Sequence, residues 1–282
     1  MSSQVIHCIG DSHASFFSGR NDTRPARPNS TQDLLPSFRA YHLGAVLAYS
    51  LCDYGSTMQG KEKFLKLLGE IPKGSNLLLC FGEIDCRVHL IKQAQKQNKE
   101  LGEVVTECVR RYLAFVAEIK NNYNVLVWGV IPSTPSEKVL DLRYPHFGSG
   151  LERNQVSIIF NSKLREWADK MGVKFISIFN QLVKADGLTD GKFYADNVHL
   201  SQRAMPLAIR QFQSDFPELG VQFFKNKFLL GLPSKLQFLL FKSQCDAQTM
   251  FYFFVRWTRK VIKKIILLVI SETAWQKIRK IG

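Results

Sequence analysis

Ile9-Gly10-Asp11-Ser12-His13 decides how this chain is read. It closes the apolar run Val5 to Ile9, which has the length and composition of a buried strand, and it breaks at once into polar sequence. A strand that ends in Gly-Asp-Ser presents a hydroxyl at the carboxyl edge of a sheet, where open α/β folds place their chemistry. Far downstream, Asp196-Asn197-Val198-His199 supplies a carboxylate and an imidazole three residues apart. A serine is a weak nucleophile until an imidazole takes its proton and a carboxylate orients that imidazole. Ser12, His199 and Asp196 are therefore the candidate catalytic residues, with the rest of the chain as the scaffold that joins them.

Working outward, Asn76 to Phe81 and Asn124 to Ile131 are continuous apolar runs, the pattern of strands buried on both faces. Val173 to Ile178 is a further strand. The segment Tyr41 to Leu51, with Gly44 inside it, is a short element of ambiguous type, and residues 14 to 37, rich in Ser, Arg, Asn, Asp and Pro, are expected to form a long surface loop. Helices are expected over Lys61 to Leu68, across a polar region from Val88 to Lys120, over Leu151 to Met171, and in a short stretch ending near Phe212. In the second of these, Val105, Val109, Leu113 and Val116 or Ala117 form an apolar stripe. Strands alternating with helices predict a parallel sheet with right-handed crossovers.

The chain has 282 residues, enough for one α/β domain over 1–215 and a basic helical extension over 216–282. Its net charge of +14 is concentrated: from Val221 onward there are twelve Lys or Arg against two acids. From Phe251, aromatic and aliphatic residues interleave with Arg256, Arg259, Lys260, Lys263 and Lys264. Phe254, Trp257, Val261, Ile265 and Leu268 share one helical face and the five cations the other, the pattern of a helix lying in a membrane interface. An anionic membrane surface is thus a candidate partner for 251–282. Nucleic acid is not expected, because the cations lie opposite a greasy face. A pair of helices packed on the core with a solvated basic face is the plainer alternative, and a partner protein is the third.

Six cysteines show neither a CxxC pair nor zinc-ligand spacing, so no metal site is expected; Cys8 and Cys80 sit inside strand-like runs, where buried reduced thiols are expected. No N-terminal basic segment with an apolar core and no run of about 18 apolar residues is present, which points to a cytoplasmic protein, peripheral on a membrane at most. The oligomeric state is left open.

Four places resemble the SGNH (GDSL-type) hydrolase family over residues 4 to 212. They are Gly10-Asp11-Ser12, Gly44 in Tyr41-His42-Leu43-Gly44, Gly82-Glu83-Ile84-Asp85 after the third strand, and Asp196-x-x-His199. The resemblance implies a flavodoxin-like three-layer α/β/α sandwich around a five-stranded parallel sheet. It implies an acyl-ester hydrolase or acyltransferase that works through an acyl-enzyme on Ser12, without a cofactor. It suggests an O-acylated glycan or a lipid ester as the substrate, and the basic amphipathic tail favours one at the inner membrane face, such as a lipid-linked saccharide. The amides of Ser12 and Gly44, and the Gly82 segment, would form the oxyanion hole.

One position departs from the pattern. Where the family has Gly-x-Asn-Asp, with the asparagine donating to the oxyanion, this chain has Ile84. Arg87 is the first candidate for the missing donor, with a salt bridge to Glu83 or Asp85 as its plainer role. His89 and Arg143 are weaker candidates, and His89 fits a surface helix residue. Asp11, His13, Glu83, Asp85, Arg143 and His146 are the candidate substrate contacts; His146 equally fits a solvated loop, and His7 a packed strand. A chain that kept the fold and lost the chemistry, serving as a binding or scaffold protein, is the alternative that Ile84 favours.

Overall fold

The computed structural model describes residues 5–23, 33–138, 142 and 145–269. Five parallel strands form one sheet in the order β2-β1-β3-β4-β5: β1 Ile6–Gly10, β2 Phe38–His42, β3 Asn76–Cys80, β4 Asn124–Trp128 and β5 Lys174–Ile176. This is the flavodoxin-like strand order, with its switch point between β1 and β3. The expected α/β/α sandwich is what the chain forms.

Alternation along the strands feeds two cores. On one face Ile9, Leu79 and Val127 pack with Phe64, Phe115, Tyr112 and Phe160 from α1 (Gly60–Leu68), α3 (Leu101–Ile119) and α4 (Gly150–Lys170). On the other, Cys8, Leu78 and Trp128 pack with Phe17, with Phe212 of α5 (Met205–Asp215), and with Phe241 and Cys245 of a long final helix, α7 (Ser234–Val269). Leu219, Val221 and Phe223 belong to that second core too, so burial continues past residue 215. A four-residue α6 (Lys227–Leu230) precedes α7. All six cysteines are free thiols, five of them buried.

Several expectations change. The segment after Ser12 is not a surface loop: Ser12–Ser18 is a 3-10 helix that buries Phe16 and Phe17, and Phe17 meets the rings of Phe38, Trp128 and Phe212. Residues 24–32 of that stretch lie outside the described residues. Of the ambiguous segment Tyr41 to Leu51, only Tyr41 and His42 belong to a regular element, the end of the edge strand β2 that begins at Phe38; Leu43 to Leu51 is a turn-rich loop. The Val88–Lys120 region is three pieces: a π-turn Asp85–His89, α2 (Leu90–Gln97), and α3 after a break at Asn98, whose φ is +51°. In the apolar stripe it is Val116 that is buried, while Ala117 is exposed.

Candidate active site

Parallel register lines up three loops at one edge. Gly10 is opposite His42 on one side and Cys80 on the other. Ser12, Gly44 and Gly82 each follow two residues later, so all three emerge at the carboxyl edge beside the switch point. Gly10 has no room for a side chain, since a Cβ there would sit 2.1 Å from the Cys80 carbonyl oxygen. The chain then enters the 3-10 helix, where Asp11 is the N-cap and accepts the His13 amide at 2.9 Å.

Ser12 meets His199 across 187 residues of sequence: Oγ and Nε2 are 2.8 Å apart. On the other side of the ring, Nδ1 is 2.9 Å from Asp196 Oδ2. Asp196 is itself fixed, with Oδ1 accepting the amides of Val198 at 2.9 Å and His199 at 2.8 Å. An ionised carboxylate only accepts, so Nδ1 carries the ring proton and Nε2 is left to accept from the serine. Burial would raise the Asp196 carboxyl, but the hydrogen bond and charge of His199 and the two amides hold it down at about 2. His199 is lowered, by burial first and then by the neighbouring His13 charge, against the pull of Asp196. The imidazole is thereby kept neutral near neutral pH, the form a general base needs.

Residues distant in sequence hold the two halves together. Gln202 donates through Nε2 to the carbonyls of Phe16 (2.8 Å) and Arg20 (3.0 Å), and its amide donates to Asn21 Oδ1 at 2.7 Å. Arg256 of α7 donates to the Ala195 carbonyl at 2.8 Å, next to Asp196. The sequence marks neither Gln202 nor Arg256 as part of the site, because their side chains bond backbone carbonyls distant in sequence that no spacing rule reveals.

Around the nucleophile lies a buried charged set. Glu83 takes His13 Nε2 on one oxygen at 3.0 Å and Arg87 Nε on the other at 2.7 Å. Burial alone would raise Glu83, but the two cations push it well below the usual carboxylate range. Burial lowers His13, yet Glu83 and Asp11 more than offset this and leave it raised. Asp11 has no such escape: burial pushes it up to about 7 despite His13, and its Oδ2 has no hydrogen-bond partner among the described residues. The His13 and His199 rings are 5.0 Å apart.

The other candidate residues divide. Gly44 has φ +100°, a backbone that disfavours side chains, and neither its amide nor that of Ser12 is engaged in a hydrogen bond among the described residues. Gly82, at φ +109°, faces Phe160, which a Cβ would meet at 2.8 Å. Asp85 is turned to the loop after β2, accepting the amides of Ala48 at 2.9 Å and Tyr49 at 3.2 Å. It holds the loop that carries Gly44. Arg87, the expected oxyanion donor, is committed to Glu83 and to the Pro145 carbonyl, and its own carbonyl takes the Phe147 amide. The ion pair is thus formed, and it explains why the guanidinium is buried. His146 lies on that strapped loop, with Nε2 3.4 Å from the Glu137 carbonyl. His7 stacks on Tyr41 and bonds its hydroxyl at 3.0 Å. Arg143 lies outside the described residues. Among the described residues, no group of three His, Cys, Asp or Glu is arranged to hold a metal.

No family model matches the chain, and no curated protein does. Solved structures do. A Streptococcus pneumoniae protein provisionally described as a platelet activating factor superposes over 76% of this chain and 84% of its own, with TM-score 0.50 and 15% identity. The chain shares its fold with that protein. An acetylxylan esterase from Geobacillus stearothermophilus, represented by a catalytic mutant, matches over 80% and 98% with TM-score 0.48 and 15% identity. A member of the lipolytic G-D-S-L family from Veillonella parvula matches over 76% and 98% with TM-score 0.44 and 15% identity.

Proposed function

We infer that this chain is a serine-dependent acyl-ester hydrolase or acyltransferase of the SGNH type. The observation that carries the reading is the Ser12–His199–Asp196 array, continuous through 2.8 Å and 2.9 Å contacts at the carboxyl edge of the sheet. His199 Nε2 takes the Ser12 proton as Oγ bonds to the ester carbonyl carbon. Asp196 holds the imidazolium that results, and the amides of Ser12 and Gly44 face the oxyanion. Collapse expels the alcohol, which takes the proton from His199. Water or an acceptor hydroxyl then releases the acyl group by the same steps in reverse. The motif resemblance suggests short acyl groups on a glycan, or a lipid ester, as substrates, and the basic amphipathic tail favours a substrate at a membrane face, such as a lipid-linked saccharide.

Ile84 supports a second reading, a binding protein on this fold without catalysis, because an isoleucine donates nothing to an oxyanion. Hydrolysis of p-nitrophenyl acetate by the intact chain and by Ser12→Ala separates the two. Activity lost in the variant is expected. Equal rates in both, together with no labelling of Ser12 by a fluorophosphonate, would leave the binding role.

A further inference from the structure

Helix α7 is apolar on both sides, and among the described residues only one side packs against the domain. Phe241, Cys245 and Thr249 are buried against the domain, four residues apart on one face. The opposite face carries Leu236, Leu239, Leu240, Met250, Phe254 and Trp257, all exposed, with Trp257 at 60% and Phe254 at 59%. Phe254 and Trp257 lie ring to ring, centroids 6.3 Å apart. The outward stripe therefore starts at Leu236, well before the stretch from Phe251 that the sequence pattern marks; the side chains of Ile265 and Leu268 lie outside the described residues. These residues form two apolar groups, Leu236 to Leu240 and Met250 to Trp257, separated on the same face by the exposed Ser243 and Ala247; exposed apolar surface of this kind marks an interaction face.

Charge chooses its occupant. Residues 234–269 hold seven Lys or Arg and one acid. That acid, Asp246, is held by Arg203 at 2.8 Å and Lys242 at 2.7 Å. Arg259, Lys260, Lys263 and Lys264 are exposed beside the aromatic end of the stripe. A second copy on the apolar face would leave these cations unanswered on the other side of the helix, whereas an anionic bilayer takes the apolar stripe and attracts the cations that lie across the helix from it. No helix among the described residues is long and apolar enough to cross a membrane, so the fit is a helix lying along the surface.

We propose that the outer face of α7, from Leu236 to Lys264, docks the protein on an anionic phospholipid surface. Three contacts tie the helix to the candidate site. Gln248 donates to the Gly19 carbonyl at 2.8 Å, at the end of the nucleophile's 3-10 helix; Thr249 bonds Asn21; and Arg256 holds Ala195. Docking through α7 fixes the Ser12 edge relative to the membrane plane, which suits a substrate embedded in or attached to that membrane. The proposal itself does not depend on hydrolysis.

Flotation of the full chain with phosphatidylcholine–phosphatidylglycerol vesicles, and with phosphatidylcholine alone, tests it. Capture by the anionic vesicles only, weakening as salt is added, is the expected result. Phe254→Ser with Trp257→Ser should lower partitioning by more than about tenfold, since each side chain loses its apolar contact with lipid. Lys260→Glu with Lys264→Glu should do the same, at about fivefold or more per reversed charge. All four side chains are exposed, so unchanged circular dichroism and melting are expected in both variants. Ser12→Ala should float like the parent, which separates docking from catalysis. Failure to float with anionic vesicles at low salt, equal capture by neutral vesicles, or variants that bind like the parent would each overturn the proposal. So would a dimer in solution that the Phe254/Trp257 variant dissolves.

Discussion

His13 and Glu83 form a buried ion pair, 3.0 Å between Nε2 and Oε2, one residue from the nucleophile and one from the position where the resemblance expects an oxyanion donor. The second Glu83 oxygen is taken by Arg87. One carboxylate therefore answers for two buried cations. That makes it the electrostatic hinge of the loop after β3.

Glu83→Ala leaves both cations buried without a counter-charge, and breaking a buried pair in this way is strongly destabilising, by about 3–5 kcal/mol. Glu83→Gln keeps the shape and should fall between the parent and Ala. Urea denaturation of the three proteins reads this directly. The linkage has a sign: Glu83 is held below its ordinary 4.5, so its contribution is present above that pH and is lost as the solution is acidified. His13 is raised above 6.5, so its contribution is full below that pH and is lost as pH rises through the raised value. The Glu83→Gln variant should accordingly lose part of the acid sensitivity of the parent.

The activity profile should show the neutral-imidazole requirement. His199 is lowered from 6.5, so kcat/KM should rise with pH through a midpoint below that value and be level by neutrality. His13→Gln removes a cation that lowers His199, and the acid limb should move upward in pH. Asp196→Asn should leave the fold intact and reduce kcat by about 10⁴-fold, the loss expected when the orienting carboxylate becomes an amide. An acid limb that stays in place in His13→Gln would rule out this electrostatic link.

Ile84→Asn places a side-chain amide where the resemblance expects one. Single oxyanion donors are worth about 10²–10³ in turnover. A rise in kcat on p-nitrophenyl acetate of at least about tenfold is expected, with little change in KM. An unchanged kcat would show that the hole does not depend on a donor at this position.

How far the sequence carried differs from element to element. β1, β3 and β4 were legible because central strands of a parallel sheet are apolar on both faces, as in Asn76 to Phe81. β2 was not, because an edge strand such as Phe38–His42 carries Arg39 and His42 and lacks that mark. The 3-10 helix after Ser12 was hidden among polar residues: Phe16 and Phe17 have no period to announce them and are buried by tertiary packing alone. Ser12, Asp196 and His199 stood out because their chemistry requires those residue types. Arg87 stood out too, yet its partner could be identified only in three dimensions. Gln202, Asn21 and Arg256, which tie the site to the helix after Ser12 and to α7, leave no local trace in the sequence.

Asp85 illustrates a residue that acts through another. Its carboxylate is buried and takes the amides of Ala48 and Tyr49, in the loop that also carries Gly44. Asp85→Ala leaves two amide donors to find new partners, one of them on a buried residue, at about 1–3 kcal/mol for each donor left unsatisfied. The larger consequence falls on the loop. With its anchor gone, the Gly44 amide is no longer held at a fixed distance from Ser12, and stabilisation of the oxyanion suffers more than substrate binding. The expected outcome is a lower melting temperature together with a kcat reduced by about tenfold or more at nearly constant KM. Asp85→Asn, which keeps one acceptor oxygen, should restore part of both. Fluorophosphonate labelling of Ser12 should persist in Asp85→Ala, because the Ser12–His199–Asp196 contacts do not pass through Asp85. Loss of labelling in step with loss of stability would mean instead that the substitution unfolds the site as a whole.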